Sequence, residues 1–273
     1  MQKAYLFDVD GVLTDPETKK VEHPETFYEL VKRVEQGNIV GLITGRSMIF
    51  VVEKILVPLE KMINNKQLLQ DIFVAAEYGG VLASYNKNGS RRTNVKENTC
   101  LPSVIQQEIR GLVNKPPYSE TMFYDETKQT MATIELLPIE KRYRKSLEIF
   151  KGAQKQLVAT LIKILKSHRV ENQFKIDQTR IATDIESVDV GKTFATRKIV
   201  ELMSKMSVFP EKYLAFGDSP VDYEIFEELR HLGKETQFIF VGESKHLVGK
   251  PTTGLIRTSK PLDKGTLEFL QKE

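Results

Sequence analysis

This sequence predicts a doubly wound α/β core with a smaller α+β domain inserted into it. Three observations carry that prediction. Residues 3–77 alternate short apolar runs with amphipathic segments, strand then helix. Residues 191–271 resume the same alternation. Residues 101–186 follow a different order, helix then two strands, and do so twice. Apolar strands joined by helix-length crossovers make a parallel sheet. A length of 273 residues accommodates one large or two modest domains with a substantial core.

The elements follow in order. KAYLFDV (3–9) reads as a buried strand. Residues 24–36 set Phe27, Leu30, Val31 and Val34 on one helical face, with Pro24 at the start and Gly37 at the stop. NIVGLIT (38–44) is a second strand, 47–63 a helix with an expected interruption at Pro58, and DIFVAAE (71–77) a third strand before the turn Tyr78-Gly79-Gly80. In the middle, 101–113 and 140–168 read as helices, and 121–137 and 172–186 as β-hairpins. DETKQTMATIE (125–135) and DQTRIATDIE (177–186) resemble one another once a gap is allowed. The middle is therefore expected to hold two helix-strand-strand units that pair into one four-stranded sheet with helices on one face. Beyond it come a helix at 191–206, a strand at 212–218, a helix at 220–232, a strand at 236–242, an edge strand at 254–258 and a closing helix at 263–271. The core is assigned to 1–82 and 188–273 and the insert to 83–187. The crossings are LASYNKNGS (82–90), whose Asn, Gly and Ser suit a hinge, and IESVDVGK (185–192).

Composition narrows the function. Apolar residues make up 40% and charged residues 28%, an ordinary globular balance, and the net charge of +3 lacks the concentrated basic character of a nucleic-acid binder. A local basic pocket for an anionic substrate remains open. No apolar stretch approaches the ~20 residues that span a bilayer, so no membrane partner is expected. The lone Cys100 allows no intrachain disulfide, and Met1-Gln2-Lys3 runs straight into a strand without a signal-peptide pattern, so a reduced cytoplasmic location is expected. Oligomeric state is not legible.

In an open parallel sheet, ligands bind beyond the C-terminal ends of the strands. Four clusters fall there or at adjacent helix starts: Asp8 and Asp10; Thr44-Gly45-Arg46; Gly191-Lys192; and Gly217-Asp218-Ser219 with Asp222 one turn on. Singly, each has a plain reading: Asp residues cap helices and start turns, Lys192 is a surface charge, and Asp222 suits the first turn of a helix. Together they gather on one rim. Carboxylates crowded in a crevice repel unless a hard cation joins them, and Mg²⁺ takes oxygen ligands, with Asp8 and Asp218 the natural ones. Phosphoryl transfer fits the set. An Asp serves as nucleophile, Asp10 as general acid and then base, and Thr44 and Lys192 as phosphate-oxygen partners. Arg46 either reads substrate or holds a salt bridge.

The four clusters resemble the motifs of the haloacid dehalogenase-like phosphatases. DVDGVLT (8–14) is similar to their first motif, ITGRS (43–47) to the second, VGK (190–192) to the third and FGDSPVD (216–222) to the fourth. The insert between the second and third resembles the large α/β-cap subclass (IIB), the branch of the sucrose-phosphatase, phosphomannomutase and Cof-like sugar phosphatase relatives. The resemblance implies a Rossmann-like core. It implies Asp8 as nucleophile and Mg²⁺ ligand, Asp10 as acid/base with its backbone carbonyl on the metal, Thr44 and Lys192 on the phosphate, and Asp218 and Asp222 at the metal. Relatives of this branch often carry Asn just before the last Asp. Val221 stands here, so that polar contact is missing or supplied by another group such as Ser219.

In that family the cap selects the substrate. Lys128 and Arg180, at matching points of the two hairpins, are the candidate substrate contacts in the insert, with Arg91-Arg92 near the expected hinge; Glu77 and Tyr78 end the third strand of the core. The expected function is a Mg²⁺-dependent phosphatase of a small phosphorylated metabolite, a sugar phosphate. A sugar phosphomutase and a catalytically weak phosphate-binding regulator are the alternatives. A dinucleotide-binding oxidoreductase fits poorly, since the turn after the first strand lacks the Gly-rich fingerprint.

Overall fold

A computed structural model describes residues 1–138, 141, 146–243 and 253–273. The chain divides into two compact units, one of Met1–Val95 with Gly191–Glu273 and one of Lys96–Val190.

The first unit is built on an eight-stranded sheet ordered β12-β11-β10-β1-β2-β3-β4-β5. Its parallel strands are β1 (Lys3–Phe7), β2 (Ile39–Ile43), β3 (Ile72–Ala76), β10 (Lys212–Gly217), β11 (Thr236–Phe240) and β12 (Leu255–Arg257). Most of these strands are apolar along their whole length because both faces are covered. In β1, Tyr5 and Phe7 enter one core while Ala4 and Leu6 enter the other. The first core takes α1 (Glu25–Glu35), the helical segment 48–62 and Leu270 of α8 (Leu262–Lys272). The second takes α6 (Lys192–Lys205) and α7 (Tyr223–His231).

Two details differ from expectation. The helix at 48–62 is irregular before Pro58 rather than at it: α2 (Met48–Val51) widens to i→i+5 bonding over Val52–Leu56 and then continues as α3 (Val57–Met62). Pro58 offers no N–H, and its ring crowds the carbonyl four residues back, so the strain is taken up in the preceding turn.

The second difference is larger. The core does not end at residue 82. β4 (Val81–Tyr85) and β5 (Arg91–Val95) add to the sheet antiparallel, and the expected hinge at 82–90 takes in most of β4 and the turn between the two strands. Asn86 and Gly89 close that turn, with Gly89 N–H donating to Asn86 O at 2.9 Å. β5 is an edge strand, largely exposed and rich in charge, which hid it from a search for apolar alternation. Arg91 lies on it and pairs with Glu60 at 2.8 Å.

The second unit is a four-stranded antiparallel sheet ordered β6-β7-β9-β8, from β6 (Met122–Tyr124), β7 (Ala132–Leu136), β8 (Phe174–Gln178) and β9 (Ala182–Ser187). Ile134 and Ile185 of the inner strands pack with Ile105 and Ile109 of α4 (Ser103–Val113) and Leu157 and Leu161 of α5 (Ser146–Ser167). The two helix-strand-strand units thus pair through β7 and β9, with helices on one face, as the internal repeat predicts. The start of the expected 140–168 helix lies largely outside the described residues. Among the described residues, no helix is long and apolar enough to cross a membrane.

Candidate active site

β10, β1 and β2 are neighbours in the sheet, and Asp218, Asp8 and Thr44 are the residues that follow their C-terminal ends. The Asp8 N–H donates to Phe216 O at 3.1 Å, so the β1–β10 ladder runs up to the two aspartates. The chain then turns at once: Leu13 and Thr14 N–H groups both donate to Val9 O at 2.9 Å. Gly11 makes the turn with φ +76°, and a Cβ there would stand 2.5 Å from Asp218 Oδ2. Only glycine tolerates both the backbone angle and the approach. Read along the chain, Gly11 is a strand breaker; its nearness to Asp218 is a long-range fact.

One carboxylate oxygen from each of Asp8, Asp218 and Asp222 lies within 4.8 Å of the others. Lys192 opens α6 directly after Gly191, and its ammonium is buried, with the side chain 4% exposed. It is hydrogen-bonded to Asp8, contacts Asp222 Oδ1 at 2.8 Å and donates to Ile43 O at 3.1 Å. A cation at a helix N-terminus faces the unfavourable end of the macrodipole, so these carboxylates hold it there. Asp222 Oδ2 accepts from the Asp218 N–H at 3.1 Å, the Ser219 N–H at 3.0 Å and the Ser219 hydroxyl at 2.8 Å. Ser219 thereby supplies polar support in the fourth motif, while Val221 is 52% exposed.

The electrostatics follow from burial and one cation. Burial pushes the Asp8 carboxyl well above the usual range against the pull of Lys192, with Asp222 and Asp10 adding to the rise. Burial, then the charge of Asp222, lifts Asp218 to about 7. Burial works against ionised Asp222, but Lys192 and the Ser219 hydrogen bonds outweigh it and hold the group below the ordinary value. Burial likewise opposes the Lys192 charge, and Asp222 and Asp8 overcome it, so the ammonium stays protonated. Three carboxylates facing one ammonium, two of them with a raised hold on their protons, form an all-oxygen donor set suited to a hard divalent cation.

Asp10 and Arg46 form a two-pronged pair. The Arg46 Nε and Nη2 donate to the two Asp10 carboxylate oxygens, each at 2.8 Å. Of the two roles left open for Arg46, the structure shows the salt bridge. Arg46 also stacks its guanidinium 4.9 Å from the Phe50 ring centroid, and the Arg46 backbone N–H donates to Thr44 Oγ1 at 3.0 Å.

The candidates in the second unit are not brought together. Lys128 lies in the β6–β7 turn and Arg180 in the β8–β9 turn. Because Ala132 pairs with Ile185 and Glu135 with Ala182, the two turns sit at opposite ends of the sheet, about 10 Å or more apart along the strands. The repeat's approximate two-fold arrangement separates positions that match in sequence. Lys128 lies near Asp184, whose carboxyl burial raises and Lys128 lowers. Arg180 is exposed.

No protein-family model and no curated protein matches the sequence. Solved structures do match. The C. albicans trehalose-6-phosphate phosphatase C-terminal domain superposes with a TM-score of 0.66 at 15% identity, covering 99% of this chain and 92% of that one. A haloacid dehalogenase-like hydrolase from Bacteroides thetaiotaomicron gives 0.62 at 11% identity, over 100% and 99%. The sucrose-phosphatase from Synechocystis sp. PCC6803, in complex with sucrose and phosphate, gives 0.55 at 14% identity, over 99% and 97%. The chain therefore shares the fold of these structures, with aspartates beyond adjacent central strands of a mostly parallel sheet, a lysine opening a following helix and a separate four-stranded antiparallel sheet in the inserted unit.

Proposed function

We propose that the protein is a Mg²⁺-dependent phosphatase that hydrolyses a small phosphorylated metabolite, a sugar phosphate, through an aspartyl-phosphate on Asp8. One observation carries this reading: the Asp8 carboxylate at the end of β1 is grouped with Asp218 and Asp222 and bonded to Lys192. Asp8 attacks phosphorus as the nucleophile. Asp10 takes up a proton on one oxygen, giving up one of its two Arg46 bonds while the other keeps it oriented; it protonates the leaving alcohol and then takes a proton from the hydrolytic water. Thr44, the Gly45 backbone and Lys192 hold phosphoryl oxygens. The Asp8, Asp218 and Asp222 side chains and the Asp10 backbone carbonyl would hold Mg²⁺. When bound, the ion supplies positive charge that offsets the clustered carboxylates and the phosphoryl group. Likeness of fold to structures described as trehalose-6-phosphate phosphatase and sucrose-phosphatase supports a sugar phosphate as the substrate class.

The test is turnover of a generic aryl phosphate and of a panel of sugar phosphates, with and without Mg²⁺, for the wild type and Asp8→Asn. Mg²⁺-dependent release of inorganic phosphate that Asp8→Asn abolishes is the expected result. No release across the panel, or full activity in the variant, defeats the proposal.

A further inference from the structure

The corner between β3 and β4 holds two consecutive residues with positive φ that are not glycine, Glu77 at 49° and Tyr78 at 52°. Side chains rarely accept this conformation, and it persists where the surroundings over-determine it. The surroundings here are the candidate site itself. The Glu77 N–H donates to Arg46 O at 3.0 Å, the Tyr78 N–H to Thr44 O at 2.9 Å, and the Gly191 N–H to Tyr78 O at 3.4 Å. The corner is therefore tied both to the Thr44-Gly45-Arg46 turn and to the residue before Lys192. The direction of the Tyr78 side chain follows from Gly45. A Cβ on Gly45 would stand 2.6 Å from Tyr78 Cζ and 2.8 Å from its hydroxyl oxygen, so the phenol end lies against the Gly45 backbone. The hydroxyl also lies near enough to Lys192 that an ionised Tyr78 would favour the ammonium.

We propose that Tyr78 is a phosphate-binding residue of this site, its hydroxyl delivered by the strained corner to the Gly45 backbone, where it donates a hydrogen bond to an oxygen of the bound phosphoryl group. This rests on the phosphatase reading, because it places a phosphoryl group beside Thr44, Gly45 and Lys192. The chemistry suits the task. A phenol is a neutral donor that adds to the anion site without a further charge to bury, and its rigid ring fixes where that donor points. It also gives Gly45 a reason to be glycine beyond the turn: a side chain there would displace the phenol.

Binding of inorganic phosphate by the full-length protein in the presence of Mg²⁺, measured by calorimetry, tests this without relying on turnover. Tyr78→Phe keeps the ring and removes the hydroxyl. Its affinity should fall about tenfold, the loss expected when one hydrogen bond to a charged partner is removed. Tyr78→Asn, a residue tolerant of positive φ, guards against a Phe variant that fails to fold, and it should lose affinity to at least the same extent. Wild-type affinity in a folded Tyr78→Phe or Tyr78→Asn overturns the proposal and leaves the phosphatase reading intact. A wild-type protein that neither binds phosphate nor turns over any phosphate ester overturns both.

Discussion

Replacing Lys192 by Met tests whether the buried ammonium balances the carboxylates. Lys192 makes three polar contacts in the wild type, with Asp8, Asp222 Oδ1 and Ile43 O. Methionine fills similar volume but leaves two buried carboxylates facing one another with no cation between them. Breaking a buried ion pair from one side costs about 3–5 kcal/mol. In a unit of this size each kcal/mol moves the melting temperature by about 2–4 °C, so a fall of roughly 6–20 °C is expected. A divalent cation held by Asp8, Asp218 and Asp222 supplies positive charge to the same carboxylates, so Mg²⁺ should raise the melting temperature of the variant more than that of the wild type. The assay is calorimetric unfolding of both proteins, with metal chelated and with saturating Mg²⁺. Adding Asp222→Asn to Lys192→Met should cost less than the two single changes summed, because each removes a partner of the other. A variant that melts within about 2 °C of the wild type without metal, or that gains no more from Mg²⁺ than the wild type does, refutes the charge-balance argument.

Two further outcomes follow from the same geometry. Arg46→Ala frees the Asp10 carboxylate and should lower kcat for an alkyl phosphate by about 10–100-fold, a share of what general acid catalysis contributes. It should cost aryl phosphates less, since their leaving groups need no proton and only the water step then draws on Asp10, and Arg46→Lys should not restore the loss because an ammonium cannot grip both oxygens; steady-state kinetics on the two substrate types decides. In the second unit, burial lifts Glu186 from 4.5 to about 7 despite Lys175, so the native state keeps a proton that the unfolded chain has already lost between those values. Stability should decline by about 3 kcal/mol as pH rises through that window and level off above it; Glu186→Gln should flatten that slope in denaturant unfolding at a series of pH values, and an unchanged slope counts against the assignment.

The sequence by itself determined the strands and helices of the first unit that alternate along the chain, β4 and β5 excepted, and that Asp8, Thr44 and Asp218 follow strand ends. These are local properties: apolar runs, helix starts and turn residues sit within a few positions of one another. The same holds for the repeat, where the matching order of helix and two strands reads directly along the chain. Tertiary structure decided the rest. β4 and β5 join the core sheet because the β3 edge was open to pairing, which no local pattern in the polar Arg91–Val95 discloses. Antiparallel pairing of β7 with β9 sent Lys128 and Arg180 to opposite ends of one sheet. Arg46 turned to Asp10, Gly11 made room for Asp218, and Tyr78 came to lie on Gly45. Each of these depends on strand neighbours and register, which are settled by the burial of whole faces rather than by the residues next to the one in question.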